Sequence, residues 1–340
     1  VALYEDTKEL KCESLRHKPE DLASFDSTLA QLEYRRDVIG KLLSDWKVDT
    51  SSLAAVVGRG GPFKPLVSGT YMVNEVMIAD IREGRVAADH PSNLGALLAH
   101  GIASPLGIPA FIVDPVSVDE FIPQSRLSGM PEIERRSLSH ALNMKMVGRK
   151  AASEIGKPYE ELNFVICHLG TGISIGAHRK GRQIDVNNAN DGGPFSAQRT
   201  GYLPVTQLVK LCYSGKYDAK TMRAKITKKG GLLAYTGSDH VQDLYAKAET
   251  DEDTALVLQA MVQQIAKEIG AQAAVLDGNV DAIVITGGMA YEPKLTEHIS
   301  RKVKFITENI LVFPGEDELE ALTRGALRVL SGEVQPMEYE

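Results

Sequence analysis

The stretch between Asn163 and Gly201 places the strongest constraint on the fold. An apolar strand, Phe164 to Cys167, leads into His168-Leu169-Gly170-Thr171-Gly172, and a second strand follows from Ser174 to His178. Glycine has no Cβ, so the two glycines of this run let backbone N–H groups close on an anion and adopt positive φ without strain. The stretch therefore predicts a strand, a phosphate-binding loop and a second strand.

Two familiar glycine motifs do not fit this loop. A dinucleotide-binding fingerprint needs G-x-G-x-x-G at the start of a helix, whereas here the spacing is G-x-G-x-x-x-G and a strand pattern follows Gly172. No G-x-x-x-x-G-K-[ST] occurs in the chain, which excludes a P-loop. An oxidoreductase that uses the loop for NAD is therefore the weaker alternative, and NAD binding without ATP binding would favour it.

Composition narrows the class of protein. A chain of 340 residues that is 43% hydrophobic can bury a large core, and its length suggests about two domains. The net charge of −7 and the absence of long runs of like charge argue against nucleic acid or an anionic membrane as the main partner. Three widely spaced cysteines, no membrane-length apolar run and no signal-peptide pattern predict a cytoplasmic protein with reduced thiols.

The two halves of the chain repeat one scheme of short strands, an amphipathic helix and a buried strand that ends in glycines. In the first half the predicted strands are Val1 to Tyr4, Glu9 to Ser14 and Leu53 to Val57; in the second half they are Phe164 to Cys167, Ser174 to His178, Gln183 to Val186 and Ala282 to Ile285. Two three-stranded meanders, each followed by helices and parallel strands, imply a duplicated α/β domain with a cleft between the copies. We expect residues 1–120 and 319–340 to form the first domain and residues 121–318 to form the second, nucleotide-binding domain.

The start of the chain is unusual. It opens directly on Val1-Ala2-Leu3-Tyr4, an alternating strand pattern, without an initiator methionine. We infer from this pattern that the sequence begins inside a sheet.

A series of short motifs carries a resemblance to a known family. The chain resembles the acetate-kinase family of short-chain carboxylic acid kinases, and within it the butyrate kinases. The motifs, in chain order, are Gly58-Arg59-Gly60-Gly61, Val67-Ser68-Gly69-Thr70-Tyr71, Asp89-His90-Pro91-Ser92-Asn93-Leu94, Val113-Asp114-Pro115, Ser139-His140-Ala141-Leu142-Asn143, His168-Leu169-Gly170, Gly193-Pro194-Phe195-Ser196, Arg199-Thr200-Gly201, Thr286-Gly287-Gly288 and Gly315-Glu316-Asp317-Glu318-Leu319.

The resemblance implies a fold, an activity and a set of partners. The implied fold is α/β, with two duplicated actin/sugar-kinase-like (ribonuclease H-like) domains whose mixed sheets are flanked by helices. The implied reaction is a reversible, Mg²⁺-dependent phosphoryl transfer between ATP and a short-chain carboxylate, which gives an acyl phosphate and ADP. The family also implies a homo-oligomer, a dimer or larger.

Two departures from the family pattern affect the expected site. The family's first phosphate motif, an Asn-x-Gly-Ser/Thr loop before the strand that Val1 opens, is missing from this sequence. If the molecule lacks that loop, we expect badly reduced activity; a trimmed sequence is the other explanation. The family's His-Arg-Val-Val-His-Gly-Gly run reads Ala-Val-Val-Gly-Arg-Gly-Gly here, so Arg59 is displaced from the family's substrate arginine although it could reach the same anion.

Three residues are catalytic candidates. Phosphoryl transfer needs in-line placement and cancellation of charge on the transferred group, and the guanidinium of Arg199 can form a fork onto phosphate or carboxylate oxygens. The resemblance places Asp114 where the family has a carboxylate that orients substrate or metal, although Asp also closes strands as plain turn chemistry. His140 is a candidate donor to the developing charge, with a buried structural histidine as the ordinary alternative.

The remaining candidates fall into three groups. Arg59, His90 and Asn93 are predicted to bind substrate, although Ser92 or Asn93 could simply cap a helix. The predicted nucleotide-binding residues are His168, Gly170, Thr171, Gly172, Asp239, Gly287 and Gly288. Glu318, with Asp317 as its close competitor, matches the family's late metal-side glutamate, but both also suit a helix N-terminus.

Two further functions stay open at this stage. An ATP-driven conformational protein of the actin or chaperone class would bind ATP without any dependence on a carboxylate. The other is an acid kinase that prefers acetate or propionate, because one methylene in a pocket changes discrimination by only about 1–3 kcal/mol. Val67, Val116 and Phe195 are candidate pocket walls, but core packing explains each of them equally well.

Overall fold

The computed structural model describes residues 1–340, apart from the side chain of Pro19. The strands are β1 Ala2–Glu5, β2 Lys8–Cys12, β3 Val56–Arg59, β4 Thr70–Met72, β5 Ala110–Val113, β6 Asn163–Leu169, β7 Ile173–Arg179, β8 Arg182–Val186, β9 Ala282–Gly287 and β10 Ile310–Pro314. The helices are α1 Pro19–Leu22, α2 Leu32–Asp45, α3 Glu75–Arg82, α4 Leu94–Ala103, α5 Pro123–Arg126, α6 Ala141–Ile155, α7 Val205–Cys212, α8 Ala219–Thr227, α9 Gly231–Thr236, α10 Val241–Lys247, α11 Glu252–Val275, α12 Pro293–Val303 and α13 Glu318–Leu330.

The chain divides into two compact units. Unit 1 comprises residues 1–118 and 317–340, and unit 2 comprises residues 119–316. The sequence analysis expected boundaries at 120/121 and 318/319. No helix among the described residues combines the length and apolar character needed to span a membrane.

Unit 2 is built on one mixed sheet with the strand order β10-β9-β6-β7-β8. The central strand β6 runs parallel to β9 and antiparallel to β7. All seven of its residues are buried, and they alternate between two helical layers. Val165, Cys167 and Leu169 share a core with residues of α11, whereas Ile166 lies close to Gly148 of α6. A strand buried on both faces positions whatever follows its carboxyl end with little freedom.

A buried ion pair fastens the first residues of unit 2 to this sheet. Lys145 on α6 donates to Glu120 at 2.5 Å, and the backbone N–H of Gln183 on β8 donates to the same carboxylate oxygen at 2.7 Å. Both charged side chains are almost fully buried. Breaking such a pair is unfavourable because it leaves a buried charge without its partner. The ion pair therefore holds the segment after residue 118 against the sheet.

Unit 1 contains two separate sheets. The hairpin β1–β2 is a two-stranded antiparallel sheet, and the second sheet has the order β3-β5-β4 with β3 parallel and β4 antiparallel to β5. Helix α4 packs on β3 and β5, and its Leu94 and Leu97 enter a core with Met77 and Ile112.

Two predictions for the first half are wrong in detail. The predicted three-stranded meander is a two-stranded hairpin in the part of the chain that the structure describes. The strand predicted from Leu53 to Val57 is Val56–Arg59, because Thr50–Ser52 forms a turn of 3-10 helix capped by Asp49. Apolar character alone could not reveal that cap.

Candidate active site

The glycine turn after β6 is bound to the loop that carries Arg199. The N–H of Gly170 donates to the carbonyl of Gly172 at 3.2 Å, which closes the turn. The carbonyl of Thr171 accepts hydrogen bonds from the hydroxyl of Ser196 and from the N–H of Gln198. The turn and the loop therefore form one bonded assembly within unit 2.

Arg199 lies directly over Gly172. A Cβ built on Gly172 would be 2.4 Å from Nη1 of Arg199, so a larger residue at position 172 would displace the guanidinium from this place. The half-buried Arg199 side chain makes no hydrogen bond or ion pair that the structure records with any described residue, and burial lowers its pKa. A desolvated cation without a protein partner gains most from an anionic ligand.

The second glycine pair closes against the same region. Gly287 ends β9 with φ of +92°, and a Cβ there would lie 2.4 Å from the carbonyl oxygen of Leu169. Around Gly288, in contrast, a Cβ would meet no atom within 4 Å. Gly287 is therefore required by the fold, whereas Gly288 borders open space that a ligand can approach.

Two histidines at this end of the sheet form a stacked pair. The rings of His140 and His168 have centroids 3.8 Å apart and are nearly parallel, at 8°. Nδ1 of His140 is 3.0 Å from the hydroxyl oxygen of Ser174, and Nδ1 of His168 is 2.8 Å from Oδ1 of Asn143. The pair joins the end of β6 to the start of α6.

The atom of this pair that lacks a hydrogen bond with a described residue is Nε2 of His168. The atom is buried, and Oε1 of Glu316 lies 3.4 Å away, at ion-pair distance without hydrogen-bond geometry. A Cβ on Gly170 would be 3.0 Å from it. Nε2 therefore faces the glycine turn.

Asp239 is connected to the same assembly through Gln198. Its Oδ2 accepts a hydrogen bond from Nε2 of Gln198 at 2.7 Å. Gln198 precedes Arg199, so the structure brings together nearly all predicted nucleotide-binding residues and two of the three catalytic candidates, Arg199 and His140. The third candidate, Asp114, belongs to unit 1.

Asp114 ends β5 in a left-handed backbone conformation with φ of +38°. Its Oδ1 accepts hydrogen bonds from the hydroxyl of Ser68 at 2.6 Å and from the N–H of Gly69 at 2.9 Å. The side chain is buried. Asp tolerates this backbone region better than most residues, so its carboxylate is rigidly held at the end of the strand.

Two of the other unit 1 candidates, Arg59 and Glu318, contact each other. Arg59 at the end of β3 forms an ion pair with Glu318 at the start of α13, so the predicted substrate arginine and the predicted metal-side glutamate neutralise each other. Asp317 is at the N-cap position of α13 with φ of +41°. Burial, together with the charge of Arg59, lowers the pKa of His90.

His90 and Asn93 have structural partners of their own. Nδ1 of His90 accepts a hydrogen bond from the N–H of Ser92, so His90 caps the short 3-10 turn before α4. Asn93 is at the N-cap position of α4, but its side chain makes no capping hydrogen bond. The Asn93 amide donates to the carbonyl of Ala88. Its Oδ1 lies against Gly61, where a Cβ would be only 1.9 Å away.

The donor set fits a magnesium ion that is held mainly by its nucleotide. No group of three His, Cys, Asp or Glu side chains converges among the described residues. Mg²⁺ usually keeps several waters and takes one or two protein carboxylates in addition to substrate phosphates. The carboxylate of Glu318 can serve as such a ligand if it leaves its ion pair with Arg59.

Several residues at this site were not predicted from the sequence. Ser196, Gln198, Asn143 and Ser174 all bond to predicted site residues. Ser196 and Asn143 stood in motifs already singled out, but nothing in a linear motif shows which side chain is the partner. Gly231 has a clearer signal, since the Gly230-Gly231 pair indicates close approach, and a Cβ on Gly231 would be 1.9 Å from the carbonyl oxygen of Ser196.

Comparison with known proteins identifies the class to which this fold and site belong. The family model described as the acetokinase family matches residues 131–308. The chain belongs to the acetokinase family.

The relatives that resemble the chain in sequence include butyrate kinases. It is 47% identical to butyrate kinase 2 of Clostridium acetobutylicum, over 100% of this chain and 96% of that protein. It is also 47% identical to the probable butyrate kinase 2 of Caldanaerobacter subterraneus subsp. tengcongensis, with the same coverage of both chains. The resemblance predicted from short motifs is thereby confirmed.

Solved structures confirm the predicted fold class. The acetate kinase of Porphyromonas gingivalis aligns with a TM-score of 0.74 at 20% identity, over 86% of this chain and 84% of that one. A propionate kinase from Francisella tularensis subsp. tularensis SCHU S4 aligns with a TM-score of 0.68 at 20% identity, over 85% and 83%. At this level of identity the likeness establishes the fold alone.

Proposed function

We propose that this protein transfers the γ-phosphoryl group of ATP reversibly to the carboxylate of butyrate or of a related short or branched-chain fatty acid. The products are the acyl phosphate and ADP. Full-length similarity to butyrate kinases supports the acceptor. The observation that carries the proposal is Arg199, a half-buried guanidinium placed over Gly172 and without a recorded partner among the described residues.

The proposed roles follow from what phosphoryl transfer requires of a protein. Little covalent chemistry is needed, so positioning and cancellation of charge dominate. Arg199 and the N–H groups of the 170–172 turn neutralise charge on the phosphoryl oxygens. His140 and His168, which stack at the carboxyl end of β6, donate hydrogen bonds to that charge. Gly288 leaves space for the nucleotide.

Unit 1 supplies the acceptor side in this proposal. Asp114 orients the carboxylate substrate or the hydrated magnesium ion through a carboxyl group already held by Ser68 and Gly69. Arg59, His90 and Asn93 form the proposed substrate-binding group. Magnesium would neutralise charge on the phosphate oxygens when bound, and Glu318, with Asp317 beside it, is the proposed carboxylate that would hold it.

The proposal also includes a cytoplasmic location and a homo-oligomeric state. All three cysteines are free, as expected in a reducing cytoplasm. Val205, Val209 and Tyr213 on and beside α7 are 71%, 49% and 88% exposed, which favours a homo-oligomer that covers them. Light scattering of the purified protein checks this point, and a monomer at micromolar concentration would contradict it.

The experiment combines a substrate panel with one variant. Acetate, propionate, butyrate, isobutyrate and valerate are assayed with ATP and magnesium, and the acyl phosphate is trapped as a hydroxamate. We expect the highest kcat/KM for butyrate or isobutyrate. Arg199→Ala should lower kcat about 1,000-fold, the smallest effect typical of a transition-state arginine.

Controls make this result specific to the site. Arg301→Ala removes an exposed arginine on α12 and should leave kcat unchanged. Hydrolysis of ATP that does not depend on any carboxylate, or Arg199→Ala with activity within tenfold of the wild type, would contradict the proposal. A preference for acetate or propionate would correct the acceptor and keep the reaction.

A further inference from the structure

We propose that Asn143 is a positioning residue that fixes the tautomer of His168. In this tautomer Nδ1 carries the hydrogen, and an unprotonated Nε2 faces the glycine turn. This inference rests on the proposed function, because it concerns the same phosphate-binding end of the sheet. Asn143 lies in the first turn of α6 and is 2% exposed. Its side-chain amide contacts two other elements of unit 2.

The orientation of the Asn143 amide follows from its partners. Its Nδ2 donates to the backbone carbonyl of Glu316 at 2.8 Å and lies 3.5 Å from the carbonyl of Gly315. A carbonyl oxygen can only accept a hydrogen bond, so the NH₂ group must point to residues 315–316. The amide oxygen must then point to His168, and its distance to Nδ1 is 2.8 Å.

The orientation of the amide determines the proton position on the ring. Since Oδ1 of Asn143 is only an acceptor, Nδ1 of His168 has to carry a hydrogen. The neutral ring therefore has its lone pair at Nε2, the buried atom that makes no hydrogen bond with a described residue. Nε2 becomes a donor only when the whole ring is charged, which couples donation toward the glycine turn to a positive charge beside the phosphate site.

The arrangement also gives Asn143 a second task. Residues 315 and 316 follow β10, and the carbonyl of Gly315 accepts hydrogen bonds from the hydroxyl of Thr286 and from the N–H of Gly287. Through one amide, Asn143 thus connects His168 to the strand end that carries the second glycine pair. Mutation of a partner that orients a metal-binding histidine typically costs about 10–100-fold in affinity or activity, and for Asn143 we expect an effect at the lower end of that range.

The test reads the tautomer directly. Protein labelled with ¹⁵N-histidine is studied by long-range ¹H–¹⁵N NMR, with His168→Gln used to assign the signal, at a pH where the His168 ring is neutral. We expect a protonated Nδ1 and an unprotonated Nε2 in the wild type.

Three variants complete the test. Asn143→Leu keeps the volume but removes the acceptor, so the Nε2–H tautomer should appear and kcat should fall about tenfold with an unchanged KM for butyrate. Asn143→Asp keeps an acceptor and should restore the Nδ1–H tautomer. Asn187→Leu is the matched control, because Asn187 is equally buried and bonds only to the backbone; it should leave the His168 signal unchanged.

Each outcome decides the proposal. A wild-type His168 that is protonated at Nε2 when neutral, or an Asn143→Leu protein with the wild-type tautomer, would overturn it. If Asn143→Leu fails to fold, the wild type and Asn143→Asp still decide through their spectra. If neither the wild type nor any variant phosphorylates a carboxylate, the proposed function fails. The NMR result on the Asn143–His168 hydrogen bond is then still valid by itself.

Discussion

Unit 2 joins its strands through one central strand, whereas the described part of unit 1 keeps its hairpin and its second sheet apart. In unit 2, β6 forms a parallel ladder with β9 and an antiparallel ladder with β7. In unit 1, β1–β2 and β3-β5-β4 are separate sheets. The comparison shows that β6 has two functions, since it unites the sheet and carries His168 and the glycine turn at its carboxyl end.

The charged candidates of the two units differ in whether they have partners within the protein. In unit 1, Arg59 is paired with Glu318, and Asp114 accepts bonds from Ser68 and Gly69. In unit 2, Arg199 has no recorded partner among the described residues and lies over a glycine. The charges of Arg59 and Glu318 in unit 1 thus compensate each other, whereas no ion pair with a described residue compensates the charge of Arg199 in unit 2.

The largest expected effect tests the role of β6 in this comparison. Ile166 in β6 is fully buried and Leu10 in β2 is 46% exposed. Ile166→Ala should lower the free energy of unfolding by about 3–4 kcal/mol, because it leaves a cavity in a strand packed on both faces. Leu10→Ala should change it by no more than about 0.5 kcal/mol.

Guanidinium unfolding measures both variants. The single tryptophan of the chain is Trp46, in unit 1, so its fluorescence follows that unit, whereas far-UV circular dichroism follows the whole chain. If both variants lost the same free energy of unfolding, the hairpin would be as important to stability as β6, which would contradict the central role of β6.

The sequence pattern predicted those elements whose own residues show a clear periodicity or apolar run. The alternation through β6, β7 and β8 and the helical spacing in α11 identified four elements of unit 2, and the glycines marked its turns. β4 was missed: Thr70–Met72 is three residues long and becomes a strand through pairing with β5, about forty residues away. A strand of that length has no periodicity of its own, so tertiary pairing decides it.

Pairing between distant residues limited the prediction of the site in the same way. The glycines and Arg199 were found because their chemistry is local. The ion pair of Arg59 and Glu318 and the buried pair of Lys145 and Glu120 join residues whose proximity only the fold creates. A linear reading cannot show which residue pairs with each of these charges.

The second prediction compares the two glycines that end β9. Gly287→Ala should destabilise the protein by about 3 kcal/mol, because φ of +92° and the backbone of Leu169 both exclude a Cβ. Gly288→Ala meets no atom within 4 Å and should keep the wild-type stability. Its KM for ATP should rise severalfold instead, because the methyl group enters the open space proposed for the nucleotide.

Thermal unfolding and ATP-dependent kinetics separate the two glycine variants. Gly288→Ala with unchanged kinetics would show that the nucleotide does not approach this side of the turn. Gly287→Ala with wild-type stability would mean that the turn can rearrange, which would weaken the view of unit 2 as a rigid site.

The smallest expected effect is a pH dependence with opposite signs in the two units. Burial, reinforced by the charge of Asp185, raises the pKa of Glu268 in unit 2. Burial also acts to raise the pKa of Asp80 in unit 1, but hydrogen bonds from Tyr339 and Arg85 outweigh it and lower the pKa. The opposite directions follow from the partners, because the cationic Arg85 and the hydroxyl of Tyr339 donate to Asp80, whereas Glu268 lies near the negative charge of Asp185.

The signs follow from proton linkage. A raised pKa in the folded state means that the stability from Glu268 is present below its unfolded pKa, about 4.3, and is lost as the pH rises through the folded value. For Asp80, stability is present above its unfolded pKa, about 3.9, and is lost as the pH falls through the lowered folded value. Glu268→Gln should thus improve stability relative to the wild type more at pH 7 than at pH 4. Asp80→Asn should cost more at pH 7 than at pH 3. Guanidinium unfolding at these pH values measures both differences, and the same sign in both variants would show that the two units do not treat their buried carboxyl groups differently.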